Sequence, residues 1–333
     1  MPKVEFAILG AGAIGSIIGA HLARAGHSVA VLARGQRAQQ LREEGLRIKG
    51  LVEFTAAVPT ITDPTQLLGA DALIVTTKAI DTAASLDLLR PIDIGVAFSI
   101  QNGVMKNELL SRAFSKDRVL GAIANISGER LASGEVWFTR NENLLVGELS
   151  ARENSRASRI AAALDASGVH STVVPDIVAQ EWSKFAAWVG LMILAVTTRG
   201  NTWKYLSDPD ARLLFTRLVR EVGTLAQVAG ASLSDESMIP VATICRASEQ
   251  DAVDVVATFA DDFKSKAPGH RVSTLQDLEG GRPLEIEETL GFAVTKAKQL
   301  ELNLPLLENF YRLAGAIDRT RNRIAPDDSS IDP

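Results

Sequence analysis

The chain has 333 residues, 46% of them hydrophobic and 23% charged, and this length is typical of a globular protein of about two domains. Its formal net charge of −5 argues against general electrostatic binding to nucleic acid or to an anionic membrane surface. Cys245 is the single cysteine, so an internal disulfide is excluded and a reducing, cytoplasmic location is expected.

Short apolar segments alternate with helical patterns in the first part of the chain, which predicts a parallel sheet with helices on its faces. The predicted elements are, in chain order, strand Val4–Leu9, helix Ile14–Ala25, strand Val29–Leu32, strand Leu73–Thr76, helix Thr82–Leu89 and strand Val96–Ile100. Two weaker strands, Glu135–Thr139 and Asn143–Val146, are expected to pair as an antiparallel hairpin. A helix at Arg156–Ala166 and a strand at His170–Val174 follow.

From Asp176 onward the strand patterns stop and helical patterns follow. The predicted helices are Ala179–Val196, Asp208–Val228, Asp235–Ser248, Asp251–Phe263, Ile286–Leu300 and Leu306–Ile317. The apolar run Phe185–Val196 is shorter than the about 20 residues of a membrane span, so we interpret it as a buried core helix. The sequence therefore predicts an α/β Rossmann-type domain at 1–175, an all-α C-terminal domain at 176–324 and a frayed tail at 325–333.

A glycine-rich motif lies between the first predicted strand and the first predicted helix. It consists of Gly10, Ala11, Gly12, Ala13, Ile14 and Gly15. In this G-x-G-x-x-G pattern the first glycine permits a tight turn, the second lets the backbone approach a pyrophosphate, and the third lets the helix pack close to the strand. The helix N-terminus favours the phosphates. The motif predicts a dinucleotide site, with a purely structural glycine turn as the alternative.

The end of the second strand indicates which dinucleotide is bound. An NAD site usually places an acidic residue there, to bind the ribose 2′-hydroxyl. Here Arg34 takes that place, with Arg37 close behind it, and no carboxylate is present. An arginine can form a bidentate contact with a 2′-phosphate. The sequence therefore favours NADPH/NADP+, the alternative being a solvated arginine at a strand end.

Two further candidates follow predicted strands at the sheet edge where open α/β sheets bind ligands. Lys78 follows the third strand, and Gln101, Asn102 and Gly103 follow the fourth. Both places are candidate cofactor contacts. The alternatives are a surface lysine and a simple turn.

Together these features resemble the ketopantoate reductase family, the 2-dehydropantoate 2-reductases that use NADPH. The resemblance is carried by the glycine motif, Arg34, Lys78, Gln101-Asn102-Gly103, the stretch Gly121–Gly147, Glu181-Trp182-Ser183-Lys184, Ser273–Leu278 and Pro283–Ile286. It implies an N-terminal Rossmann domain that binds NADPH and a helical domain that closes over a small 2-oxo acid. It also implies a place in pantothenate biosynthesis.

The resemblance assigns the catalytic roles to three residues. It implies that Lys184 is the general acid, that Asn102 lies by the nicotinamide and the substrate, and that Glu285 holds the substrate together with Ser273. Asp277 would support that site. The residues alone leave alternatives: a lysine that snorkels from a helix start, a carboxylate that complements a helix dipole at Glu285, and a helix cap at Ser273. No histidine lies at metal-ligand spacing from another histidine or a cysteine, so no metal is expected.

The chain departs from the family pattern beside Lys184. The family usually carries asparagines four and eight residues after the lysine, where this sequence has Trp188 and Met192. An apolar wall would suit a less polar 2-oxo acid than ketopantoate, although both residues could also belong to the core. Three alternatives stay open: an NADP(H)-binding sensor, a paralogue without turnover, and another two-domain dehydrogenase of the glycerol-3-phosphate or opine type. The apolar helices would also allow a homodimer.

Overall fold

The computed structural model describes residues 3–150 and 155–321, and the tail expected at 325–333 lies outside them. The chain forms two compact units, Met1–Glu181 and Trp182–Pro333, whose boundary falls inside a helix and slightly beyond position 175. The first unit contains a parallel sheet with helices, and the second is helical. This arrangement confirms the predicted fold class.

The described residues form ten strands and thirteen α-helices, numbered here in chain order. The strands are β1 (Val4–Leu9), β2 (Val29–Leu32), β3 (Leu46–Gly50), β4 (Phe54–Ala56), β5 (Thr60–Ile61), β6 (Gly69–Val75), β7 (Asp93–Ser99), β8 (Leu120–Arg130), β9 (Val136–Glu148) and β10 (Ser171–Val173). The helices are α1 (Ala13–Arg24), α2 (Gly35–Glu44), α3 (Thr82–Leu89), α4 (Met105–Phe114), α5 (Ser155–Ala166), α6 (Ile177–Thr198), α7 (Thr202–Ser207), α8 (Pro209–Val228), α9 (Val241–Arg246), α10 (Glu249–Lys266), α11 (Ser273–Glu279), α12 (Phe292–Gln299) and α13 (Pro305–Thr320).

The first sheet is parallel throughout, with the strand order β5-β2-β1-β6-β7. Its central strand β1 is apolar on both faces: Phe6 and Ile8 belong to one core, and Ala7 and Leu9 to the other. Helix α1 contributes to the first core, whereas α3 and α4 contribute to the second. Because the strands run in one direction, the loops after β1, β2, β6 and β7 share one edge of the sheet.

The second sheet corrects the sequence prediction. The expected hairpin of Glu135–Thr139 with Asn143–Val146 is wrong, because both segments, apart from Glu135, belong to the single strand β9. Its antiparallel partner is β8, a strand that was not predicted from the sequence, and β9 also pairs in parallel with β3 and β10. The polar residues at 141–143 resemble a turn. The β8–β9 ladder accommodates them through register irregularities, and Asn125 Nδ2 donates to Asn143 Oδ1 across it at 2.9 Å.

The second unit is helical, with one predicted helix much shorter than expected. Of Asp235–Ser248, only α9 is helical. Pro240 disfavours helical backbone in the residue before it. The carboxylate of Asp235 instead accepts hydrogen bonds from the backbone N–H and the hydroxyl of Thr243, both at 2.8 Å. Among the helices that the structure describes, none is long and apolar enough to cross a membrane.

Candidate cofactor and active site

The glycine loop has the backbone geometry that its sequence predicts. Gly10 has φ +105°, a conformation that other residues rarely adopt. A Cβ at Gly15 would lie 2.2 Å from the carbonyl oxygen of Gly10, so only glycine lets α1 approach β1 this closely. A Cβ at Gly12 would meet nothing within 4 Å, and α1 has neither a side-chain N-cap nor an acidic residue in its first turn. The N-terminus of α1 is therefore open to an anion.

A cleft of about 420 Å³ lies against this loop, inside the first unit. Gly10, Ala11 and Gly12 form one wall, whereas Ala13, Ile14 and Gly15 already belong to helix α1 and do not line the cleft. Apolar residues from the ends of β1, β2 and β5 line another part. The cleft has the volume of a typical ligand pocket.

Three arginines line the cleft, and one of them was not expected. Arg34 lies at the N-terminus of α2, and Arg130 lies at the end of β8. Both are exposed, and within residues 3–150 and 155–321 neither guanidinium forms an ion pair or a hydrogen bond. Two positive groups beside a glycine loop form a suitable site for a phosphate. Arg130 was not predicted because the strand β8 that carries it was not predicted.

Arg37 has a structural role, because its guanidinium is hydrogen-bonded to groups of the protein itself. Its Nε donates to the carbonyl oxygen of Ala11 at 3.1 Å, and its Nη1 donates to that of Gly134 at 2.8 Å. The same guanidinium donates to Gln40 Oε1 and Ser16 Oγ, each at 2.9 Å. Burial, together with the nearby charges of Arg130 and Arg47, lowers the pKa of Arg37 to about 10. With four N–H groups used, Arg37 ties the glycine loop to the turn between β8 and β9.

The loops after β6 and β7 are joined by Gln101. Its Nε2 donates to the carbonyl oxygen of Thr77 at 2.6 Å and also to the hydroxyl of Thr82, and its Oε1 accepts from Ser99 Oγ at 2.9 Å. The side-chain amide of Gln101 is thus held by the protein. Asn102 follows it and is half-buried, and Lys78 is exposed just before a 3-10 turn.

A buried ion pair that sequence reasoning missed lies next to this loop. Lys106 Nζ of α4 lies 3.2 Å from Glu181 Oε1 of α6. The side chains are 4% and 2% exposed. Glu181 belongs to the segment that carries the family resemblance, but its sequence neighbourhood gives no signal that its partner is Lys106.

In the second unit, the candidates beside Lys184 share one face of α6. Lys184 and Trp188 are half-buried, and the Trp188 ring stacks on Phe185 with 6.3 Å between centroids. Met192 has no exposed surface. Complete burial favours the alternative that Met192 is a core residue, while Trp188 keeps surface that a ligand could contact.

Ser273, Asp277 and Glu285 lie along α11 and the segment after it. Ser273 is exposed and is the first residue of α11, whose N-cap is Val272 without a side-chain hydrogen bond, so the alternative that Ser273 caps this helix is wrong. Asp277 Oδ1 accepts from Arg282 Nε at 2.6 Å. Glu285 is half-buried and precedes the π-helical turn Glu287–Gly291.

Two residues at the C-terminal end of α13, Asp318 in the helix and Arg321 directly after it, hold this segment, and the sequence did not reveal either of them. Arg321 Nη1 donates to the carbonyl oxygen of Leu278 at 3.0 Å, and Asp318 Oδ1 accepts from the backbone N–H of Leu284 at 3.3 Å. The two side chains pair with each other at 2.7 Å. Both ends of the loop between α11 and Glu285 are therefore held by one ion pair.

No metal centre accompanies these residues in the part of the chain that the structure describes. There, no group of three or more histidine, cysteine, aspartate or glutamate side chains could hold a metal ion.

Two protein-family models match the chain over most of its length. The model described as Ketopantoate reductase PanE/ApbA matches residues 6–151, and the model of the C-terminal part of the same family matches residues 176–318. The chain is also 29% identical over 311 residues to the 2-dehydropantoate 2-reductase of Archaeoglobus fulgidus. That match covers 93% of this chain and 97% of the relative.

Solved structures share the fold. The 2-dehydropantoate 2-reductase from Methylococcus capsulatus is similar with a TM-score of 0.79 at 25% identity, covering 96% of this chain and 99% of that chain. The ternary structure of D-mandelate dehydrogenase with NADH and anilino(oxo)acetate has a TM-score of 0.80 at 20% identity, with coverages of 96% and 99%. At that identity the second similarity shows the fold alone.

Proposed function

This chain belongs to the ketopantoate reductase family and is an oxidoreductase, and on that basis we propose that it transfers a hydride from NADPH to the ketone of a small 2-oxo acid. The observation that carries the choice of cofactor is that Arg34 and Arg130 both line the cleft beside the glycine loop and that neither guanidinium has a partner among the described residues. A 2′-phosphate supplies the two negative charges that such a pair can bind. The ribose 2′-hydroxyl of NADH offers no charge to it.

The residues present fit a phosphorylated dinucleotide. The space over Gly12 and the uncapped start of α1 suit a pyrophosphate. Asp81 is a carboxylate in the cleft, but it follows β6, whereas the carboxylate of an NAD site follows β2. The D-mandelate dehydrogenase of the same fold was solved with NADH, so the fold does not decide the cofactor. The proposal of NADPH rests on Arg34 and Arg130.

The side chains of this protein would supply the proton and hold the charges. Bound NADPH supplies the hydride. We assign the general acid to Lys184, which donates a proton to the ketone oxygen and whose charge stabilises the developing alkoxide. Asn102 lies by the nicotinamide and the substrate in this assignment. Ser273 and Glu285 hold the substrate, and Asp277 keeps Arg282 beside that segment.

We further propose that the substrate is less polar than ketopantoate, or that such an acid competes with it. Trp188 offers one hydrogen-bond donor and no acceptor, and Met192 offers only a weak acceptor, so neither replaces a family asparagine. A substrate hydroxyl that faces Trp188 would lose its hydration without gaining an acceptor, which costs about 1–3 kcal/mol, whereas Met192 has no exposed surface with which to contact it. The D-mandelate dehydrogenase structure, which contains the aromatic ligand anilino(oxo)acetate, supports the proposal that this fold can hold an aromatic acid.

NADPH oxidation with a panel of 2-oxo acids tests the proposal. Turnover is expected, with ketopantoate and unhydroxylated branched or aromatic acids giving similar kcat/KM. A preference for ketopantoate of about 100-fold or more, roughly 2.7 kcal/mol, would contradict the altered pocket. Trp188→Asn should raise the relative kcat/KM for ketopantoate, while Trp137→Asn, at a surface tryptophan of the first unit, should not. Tight NADPH binding without turnover on any acid would support the sensor instead.

Three further expectations stay predictions: a cytoplasmic location, a role in pantothenate biosynthesis and a homodimer. Light scattering of the purified protein would measure its mass in solution and decide the last of them.

A further inference from the structure

The buried ion pair between α4 and α6 is connected directly to the turn that contains Asn102. Lys106 Nζ donates to the carbonyl oxygen of Gln101 at 3.1 Å, to that of Ala122 at 2.6 Å, and to Glu181 at 3.2 Å. An ammonium group has three hydrogens, and each has an acceptor here. One of those acceptors is the backbone carbonyl immediately before Asn102.

Glu181 is equally well satisfied. Its Oε1 also accepts from the backbone N–H of Ala122 at 3.0 Å, and its Oε2 accepts from the side-chain amide of Asn107. A buried ion pair is expensive to desolvate, and well-packed apolar residues of similar volume often stabilise a fold as well or better. Stability alone therefore gives little reason for two charges at this position.

We propose that Lys106 and Glu181 are positioning residues for the reaction, an inference that rests on the proposed function. Gly103 has φ +87°, and residues 100–104 lie between β7 and α4 without regular secondary structure, so the turn needs side-chain support. Lys106 supplies it at the carbonyl of Gln101. Glu181 lies three residues before Lys184 on α6, so the same pair fixes the first turns of the helix that carries the proposed acid.

Both residues act through others. Their side chains are almost fully buried and their polar atoms are occupied by protein groups. What they contribute is the placement of the Asn102 backbone. Reaction rates are sensitive to such placement, because a shift of about 1 Å at a reacting group can cost about 100-fold in rate.

The test compares Lys106→Met, Glu181→Gln and the double variant in the full chain. Lys106→Met leaves the buried carboxylate of Glu181 without its positive partner and should lower Tm. The double variant removes both charges and should regain most of that Tm, but it still lacks the donor to the Gln101 carbonyl. We expect its kcat to stay about 10- to 100-fold below the unmodified protein. The KM for NADPH should change by less than roughly threefold, and the isotope effect with 4-deuterated NADPH should rise.

The control is Lys3→Met, which removes an exposed lysine paired with Asp71 and should leave kcat and Tm unchanged. Recovery of kcat together with Tm in the double variant would show that the pair is only structural and would overturn the proposal. So would unchanged kcat in a folded Lys106→Met variant.

Hydrogen exchange gives a readout that needs no turnover. The amides of residues 101–105 should exchange about 10-fold faster in the double variant than in the unmodified protein, while those of β1 should not change. Equal exchange at 101–105 would refute the positioning role. If the unmodified protein reduces no 2-oxo acid, the proposed function fails, and the exchange result still decides whether the pair holds this turn.

Discussion

Replacement of Arg34 and Arg130 by alanine, singly and together, is expected to remove the preference for NADPH over NADH. The two residues come from separate elements, the start of α2 and the end of β8, and they line the same cleft. Neither guanidinium is engaged by a protein group in the described residues. Their removal should therefore leave the fold intact and change only what the cleft can bind.

The size of the effect follows from the exposure of the two side chains. A charge-assisted hydrogen bond contributes about 1.5–3 kcal/mol, which corresponds to roughly 10- to 150-fold in affinity. Both arginines are exposed to solvent, and screening places each single replacement near the lower end of that range. We expect about a 10-fold loss of NADPH affinity for each single variant and a larger loss for the double variant.

Fluorescence titration of NADPH and NADH measures this preference, at low salt and at about 0.5 M salt, where screening should reduce it. The control is Arg112→Ala, at an arginine of α4 whose side chain is 72% exposed and which does not line the cleft. Equal affinity of the unmodified protein for both cofactors would refute the reasoning. An equal loss in the Arg112 variant would also contradict it.

Three further outcomes are expected. Lys184→Ala should lower kcat by about 100-fold and leave the NADPH affinity from titration nearly unchanged, and near-full turnover would remove Lys184 from the mechanism. Gly15→Ala should lower Tm, because the new Cβ would lie 2.2 Å from the carbonyl oxygen of Gly10. Gly12→Ala should leave Tm unchanged but weaken NADPH binding, because a Cβ there meets no protein atom within 4 Å. Equal Tm values for the two variants would contradict this prediction. Burial raises the pKa of the Cys245 thiol to about 11, so a thiol reagent at about pH 8 should label the folded protein much more slowly than the denatured protein, and equal labelling rates would contradict the raised pKa.

The part of the site that could be predicted is encoded by patterns within short segments of the sequence. The strand, the glycine turn and helix α1 follow one another within the first 24 residues, so apolar pattern and glycine spacing were sufficient to find them. Arg34 could be found because the end of β2 lies at a nearly fixed distance along the chain from the glycine motif. The helical second unit was likewise evident from its periodicity, although α9 begins later than predicted, because Pro240 directly precedes it and Asp235 accepts from the backbone N–H of Thr243 near its start.

The missed residues depend on pairing between distant segments. Arg130 reaches the cleft only because β8 pairs with β9, and the polar segment at 141–143 concealed the length of β9. Lys106 and Glu181 meet only in the folded first unit, where Glu181 also contacts the backbone of β8, and neither has a sequence neighbour that signals the other. Asp318 and Arg321 support the segment before Glu285 from the far end of the chain. Such contacts follow from tertiary packing and leave no periodic pattern.

The different positions of the three arginines have an evolutionary consequence. Arg37 carries hydrogen bonds to Ala11 and Gly134, so a mutation there leaves backbone carbonyls without their donor and is expected to be selected against. Within the described residues, Arg34 and Arg130 make no such hydrogen bonds, so their replacement should cost the fold little. Proteins descended from one ancestor could therefore change their preference between NADPH and NADH through one or two surface mutations. The glycine loop and the Arg37 hydrogen bonds that hold it would stay the same.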